Sequence, residues 1–372
     1  MRVKLIDVDN RLSIKYNKSD EIYNWGDDNA YPSLIKTLIG SSVSAKRCVD
    51  LNAKYIYGKG FEFGGKTTIV NKEGNTLNEL FREASKEFSR QNNLFFHVNY
   101  NALFEITSVK LLPSTNVRIG KSDSTGYSGK FVVYDNWDKK KNKSIDKKAF
   151  VSIDRFNPLA SVIEAQVEAS GGWNKYKGQI LHIQADLDDI YSLSDADCVL
   201  HRMDAEFSAG VYASTGLRFG FFGSQIFTTL PFSDDQERDE FEKAIHALQG
   251  MEAKRRILLL EANNASDDLT KQFDIKNIDD NIDADKYEKT EMLSSDAIIT
   301  AFGVPAILVK KSDNSVFGNS GELIVQAKLQ LWEEKEEERM IIQEAFEKIF
   351  SRWHEPINPD NNWNIIPIIS QE

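Results

Sequence analysis

The sequence predicts an α+β protein with more than one domain, and three features predict it. Strand-like alternation fills much of the first half, interrupted by helical stretches at 33–40, 42–57 and after Thr76. A small strand–helix–strand piece at 217–280 lies between two longer helical segments. The last third reads as helix, short polar loop and long helix, from 283 to 350. At 372 residues, 41% hydrophobic and 11% aromatic, the chain can bury more than one core, so two or three domains are expected.

Residues 1–24 alternate as strands do (Val3, Leu5; Leu12, Ile14, Tyr16), and 25–32 form a polar, aromatic turn. The helix at 42–57 carries Val43, Cys48, Val49, Leu51 and Ala53. Thr76 and Glu79 make a capping box ahead of Leu77, Leu80, Phe81, Ala84 and Phe88, which fall on one helical face. Strands are expected at 93–98, 102–107, 109–112, 130–135, 150–156 and 179–184, with a basic hairpin tip over 139–148. Ser194 and Asp197 cap a helix running through Met203, Phe207 and Val211 to Gly216. Strand-rich sequence follows over 217–230. Ser233 and Gln236 then open a helix that Gly250 ends, and apolar strands are expected at 255–261 and 272–278.

The next helix starts in charged residues and turns apolar through Met292, Leu293, Ile298, Ile299 and Phe302. Gly303 stands where a left-handed cap belongs, and Pro305 acts as the stop. Residues 310–320 are loop by composition. The stretch 321–350 runs without proline. Its apolar positions gather at its two ends (Val325, Leu329 and Trp332; Ile342, Ala345, Phe346 and Ile349), and 333–339 is charged all round. A helix with no apolar stripe in its middle is expected to be a strut, its ends buried in different places and its centre wet.

No apolar run approaches the roughly 18–20 residues that span a bilayer, so no membrane partner is expected. The first residues lack the core of a signal peptide. Cys48 and Cys198 both fall in helical patterns and are expected to be free core thiols in a reducing compartment. A net charge of −11 argues against broad duplex binding, which needs clustered Lys and Arg; it suits a surface past which nucleic acid slides.

Catalytic patterns fail one by one. Gly120-Lys121-Ser122 ends like a P-loop, but Thr115 stands where its first glycine belongs. Asp279, Asn281 and Asp283 have EF-hand spacing, yet Ala284 replaces the glycine and Thr290 the closing glutamate. Asp186, Asp188, Asp189, Asp195, Asp197 and His201 cluster near one helix start, where the helix dipole accounts for Asp195 and Asp197. Five scattered histidines and two distant cysteines offer no zinc spacing and no nucleophile–base pair. Neither an enzyme, a cofactor nor a metal is expected.

Taken in succession, several segments resemble the portal proteins of tailed bacteriophages, the head–tail connectors of siphovirus type. They are Ile56-Tyr57-Gly58-Lys59-Gly60-Phe61 closing the early helix, and Leu111-Leu112-Pro113 with Val117-Arg118-Ile119. Then come 179–183, Ile190-Tyr191 and the helix through Ala209-Gly210, and the helix of 233–250. Last are Ala301-Phe302-Gly303-Val304-Pro305, the polar loop, and Glu322 opening a long, kinked helix. Their order is the specific signal.

The resemblance implies a ring, usually a dodecamer, at one vertex of the capsid. Double-stranded viral DNA is packaged and ejected through it, terminase docks on it, and head–tail adaptors later take that place. Major capsid or scaffolding protein is a further implied partner, and the location is the virion, with assembly in the host cytoplasm. By position, 1–190 would be the wing, 191–216 the first stem helix, 217–280 the clip, 281–305 the second stem helix, 306–320 the tunnel loop, 321–350 the long wing helix and 351–372 a short tail. Lys310, Lys311, Ser312, Asn314 and Asn319 would face DNA and offer phosphate contacts that read no sequence. The plainer reading of the two lysines is that they are only solvated. Arg238, Lys243, Arg255 and Arg256 would lie on the clip, where terminase and adaptors dock. One departure is that only about twenty residues follow Phe350, broken by Pro356, Pro359 and Pro367, so the crown is expected to be short or absent. Two other readings stay open: an ordinary soluble α/β enzyme using the acidic cluster near Asp186, and another ring of the head–tail connector.

Overall fold

Two hydrophobic cores organise the larger part of the chain, and a six-stranded sheet separates them. The computed structural model describes residues 14–137, 147–187, 189–219, 225–229, 236, 239, 243, 257–261, 276–277, 284–310 and 321–368. Its contacts divide the chain into one unit of 1–204 with 295–372 and a second of 205–294.

In the first unit, a hairpin of β1 (Ile14–Asn17) and β2 (Ile22–Trp25) leads into α1 (Tyr31–Ser41), α2 (Val43–Tyr57) and α3 (Leu77–Gln91). The expected capping box is present: Glu79 N–H donates to Thr76 Oγ1 at 3.3 Å, and Thr76 N–H donates back to Glu79 Oε2 at 2.8 Å. The sheet follows, built from β3 (Asn93–Tyr100), β4 (Ile106–Leu112), β5 (Val117–Ile119), β6 (Lys130–Val133), β7 (Val151–Arg155) and β8 (Gln179–Gln184). Their order is β4-β3-β8-β7-β6-β5, antiparallel except between β7 and β8. That parallel pair needs a crossover, and α4 (Ala160–Ser170) supplies it.

Side chains alternate across the sheet. On β3, Phe95 enters the first core, with Trp25, Ile35, Cys48 and Phe302, while Leu94, Phe96 and Val98 enter the second, with Phe61, Phe81, Phe346 and Trp363.

Three sequence expectations are corrected here. The strands expected at 102–107 and 109–112 are one strand, because 101–105 is the hairpin turn, in which Asn101 Oδ1 accepts from the Leu103 and Glu105 amides. The helix α4 was not expected at all; only Ile163 and Val167 on it are buried, too few to print a periodicity. Cys198 is exposed in a 3₁₀ turn before the next helix, whereas Cys48 is buried as expected.

Helix α5 (Leu200–Phe219) carries the chain past residue 204, running three residues beyond the expected end at Gly216. The second unit contains β9 (Gln225–Thr229), β10 (Ile257–Glu261) and β11 (Lys276–Asn277), with β9 central, parallel to β10 and antiparallel to β11. Residues 236, 239 and 243 are helical, in line with a helix between two parallel strands. The expected strand over 272–278 is described only at 276–277, and the rest of the expected helix of 233–250 lies outside the described residues, as do the hairpin tip at 139–146 and residues 1–13.

Four helical pieces follow: α6 (Ala284–Ala301), α7 (Ala306–Val309), α8 (Gly321–Glu334) and α9 (Glu336–Phe350). The single helix expected over 321–350 is thus broken at Lys335, whose φ of −96° and ψ of 19° interrupt the regular turn. Its ends do lie in different places. Leu331 belongs to the first core, Ile342, Ala345, Phe346 and Ile349 belong to the second, and Trp332 packs against both. The middle is not wet, however. Lys335 and Arg339 are 8% and 7% exposed and complete a buried row with Leu331 and Ile342. Long cationic side chains bury their stems as apolar residues do.

Beyond α9, the chain turns back over its own core. Ile106 N–H donates to Arg352 O, Lys59 N–H to Ile366 O and Ile366 N–H to Gly60 O, at 2.7–2.9 Å. Trp353, Trp363 and Ile365 are buried in the second core.

Candidate nucleic-acid interface

The segment expected to face DNA starts from a fixed base. At the end of α6, Gly303 adopts φ +62°, its N–H donates to Thr300 O, and Val304 N–H donates to Ile299 O. These two bonds make the Schellman cap that Gly303 and Pro305 predict. Pro305 then opens α7, and Lys310 N–H closes it on Ala306 O at 2.8 Å. Two side chains of α2 hold this corner from beneath. Asn52 Nδ2 donates to Phe302 O at 3.0 Å, and Arg47 Nη2 donates to Leu308 O at 3.3 Å. Val304 and Phe302 are buried in the first core, so the corner is packed as well as hydrogen-bonded.

Of the residues proposed to meet DNA, Lys310 is described; Lys311, Ser312, Asn314 and Asn319 lie outside the described residues. Lys310 Nζ donates to Asp296 Oδ1 on α6 at 2.5 Å, with the two side chains 35% and 57% exposed. Sequence reading missed this partner, since Asp296 sits in a different element and carries no motif. Lys243 is exposed on a helical position in the second unit; Arg238, Arg255 and Arg256 lie outside the described residues.

The acidic cluster separates into different environments. Asp186 is exposed, and Asp188 lies outside the described residues. Asp195 accepts from Asn92 Nδ2 at 2.8 Å, and burial raises its carboxyl above the usual carboxylate range. Asp197 faces the Tyr31 hydroxyl, which burial and that carboxylate together push up. Among the described residues, no group of three or more His, Cys, Asp and Glu is placed to hold a metal ion. The Gly120 piece of the P-loop pattern is sheet: Gly120 N–H donates to Lys130 O, and a Cβ there would come within 2.8 Å of the same oxygen. The following turn is held by Asp123, which accepts from Thr125 and Tyr127. Among the described residues, no helix is long and apolar enough to cross a membrane.

The fold defined by these two cores and the broken long helix occurs in virus-like particles. The chain is similar to one in the virion of the native gene transfer agent particle, at 15% identity and TM-score 0.50, over 81% of this chain and 74% of that one. It is equally similar to a chain in the neck of the empty gene transfer agent particle computed with C6 symmetry, at 14% identity and TM-score 0.50, over 86% and 77%. A more distant likeness, TM-score 0.39 at 8% identity over 78% and 82%, is to an HK97 family phage portal protein from Corynebacterium diphtheriae. The first two define the fold, and they agree with the resemblance read from the sequence. No family model and no curated protein matches the sequence.

Proposed function

We propose that this chain is a portal subunit. In this reading it is a non-enzymatic structural protein that assembles into a ring at one capsid vertex, forms the channel for packaging and ejecting double-stranded DNA, and gives terminase and then head–tail adaptors a place to dock. The observation that carries the reading is the fold shared with a neck chain over 86% of the present sequence. The C6 symmetry of that neck supports a ring; a dodecamer is the number the sequence resemblance implies.

In such a ring, the anchored corner at Gly303–Lys310 presents the loop of 310–320 to the channel once per copy. Lys310, Lys311, Ser312, Asn314 and Asn319 then give a circle of phosphate contacts that is weak, salt-sensitive and blind to sequence. The exposed Lys243, with Arg238, Arg255 and Arg256, belongs to the surface that terminase and adaptors would meet.

Negative-stain electron microscopy of the purified chain, with light scattering for mass, tests the reading. A ring of about twelve chains around a central hole is expected. A monomer or dimer that persists after incubation with capsid or scaffolding protein overturns it. Removing 311–319 should leave the ring intact and impair DNA retention.

A further inference from the structure

Helices α5 and α6 bury polar residues and expose apolar ones. On α5, Glu206 is 7% exposed while its neighbour Phe207 is 44% exposed. On α6, Ser294 is fully buried, while Leu293 and Met292 beside it are 60% and 53% exposed. A surface helix normally does the reverse, with its apolar stripe inward.

The two apolar faces also stand at one level. The boundary between the units cuts α5 after Asp204 and α6 after Ser294. Phe207 and Met292 therefore both lie within one turn of that boundary, on helices along which the chain enters and leaves the second unit. Charge follows the same order. One to two turns before Phe207, α5 exposes His201 and Arg202; one turn beyond Met292, α6 exposes Asp296, which stays 57% exposed even while it holds Lys310.

We propose that these are the two halves of one contact between copies of this chain: the Phe207 face of α5 on one copy covers the Met292–Leu293 face of α6 on the next, with Arg202 brought to Asp296. The inference rests on the ring reading above and names the surface that builds the ring. Since each copy carries both halves on different helices, the contact runs head to tail, the geometry that closes into a ring.

The test is cross-linking of the full chain with a short bismaleimide in a Cys198→Ser background, Cys198 being the exposed native thiol. Phe207→Cys combined with Met292→Cys should give a ladder of covalent species extending past the dimer, and neither single variant should. Dimers from Phe207→Cys alone would show that the face pairs with itself and would overturn the proposal. Ring-sized mass by light scattering with no ladder would overturn it as well, leaving the ring reading in place. No ring under any condition would overturn both. As a second arm that avoids the apolar core, Arg202→Glu should weaken assembly, and adding Asp296→Arg should restore it. Failure of that rescue in a folded variant would count against the contact.

Discussion

The guanidinium of Arg339 lies 3.7 Å from the centre of the Trp332 ring and donates through Nη1 to the Tyr55 carbonyl at 3.4 Å. This stack spans the break at Lys335, where Lys335 Nζ in turn holds Glu338 at 2.7 Å. Trp332 touches both cores and Tyr55 belongs to α2, so the pair ties the broken helix to the element on which both cores rest. Burial pulls the Arg339 guanidinium below its ordinary pKa, a sign that its charge is compensated by the ring and the carbonyl rather than by water.

Arg339→Ala should therefore cost about 2 kcal/mol, from the lost stack and the abandoned Tyr55 oxygen together. Arg339→Lys keeps the charge but not the planar stack and should cost about half as much. Urea denaturation of both variants measures this. Equal stability of wild type and Arg339→Ala would show that the stack contributes nothing.

Gly58 is where the returning C-terminal segment comes closest to α2. Its φ is +62°, and a Cβ there would lie 2.4 Å from Ile366 O and 2.7 Å from Ile365 Cγ2. Gly58→Ala should lift residues 363–366 from the core and cost at least about 2 kcal/mol. Limited proteolysis should then cut within 351–368. Gly64→Ala is the control: it has φ +112° but nothing within 4 Å, so it should be strained without releasing the segment.

How much of this was legible in the sequence depended on distance along the chain. The Thr76–Glu79 box and the Gly303–Pro305 corner were readable because their hydrogen bonds close within a few residues. The fold class was readable because alternation and helical spacing are local. Local pattern could not show that Lys335 and Arg339 turn inward, since a charged residue gives the same letter whether its stem is buried or solvated. Nor could it show the backing of 351–368 onto Gly58 and Gly60, whose partners lie at the other end of the sequence. In the candidate interface, Lys310 was visible as a charge on a polar loop, while Asp296, Arg47 and Asn52, which fix it in space, carried no signal at all.

His182 reports on the sheet. Its ring stacks on Phe95, with centroids 4.5 Å apart and planes 1° from parallel, and its Nε2–H donates to Asn93 Oδ1 at 3.1 Å. Burial, with the nearby Arg155 charge, lowers its pKa from 6.5 to about 3. The unfolded chain thus takes up this proton first, so the stability that the neutral ring contributes is complete above pH 6.5 and is lost as pH falls toward about 3. His182→Gln, which keeps an N–H donor without the titration, should show a flatter decline in that window. Parallel curves for the two proteins would mean that the ring titrates normally in the fold.

Lys310 and Asp296 decide how available the candidate DNA contact is. An exposed pair of this kind is worth only about 0–1 kcal/mol, so a phosphate can take the ammonium from Asp296 at little cost. The pair therefore acts as a weak holding position and sets a direction for two opposite variants. Asp296→Asn should raise the affinity of assembled rings for a random duplex, because Lys310 loses its competitor. Lys310→Ala should lower it and reduce the salt dependence, by about one unit of slope for each phosphate contact removed. Fluorescence anisotropy across a salt series measures both. If Lys310→Ala left affinity and slope unchanged while the ring stayed assembled, Lys310 would be a solvated surface lysine, and the DNA contact would have to come from another part of the chain.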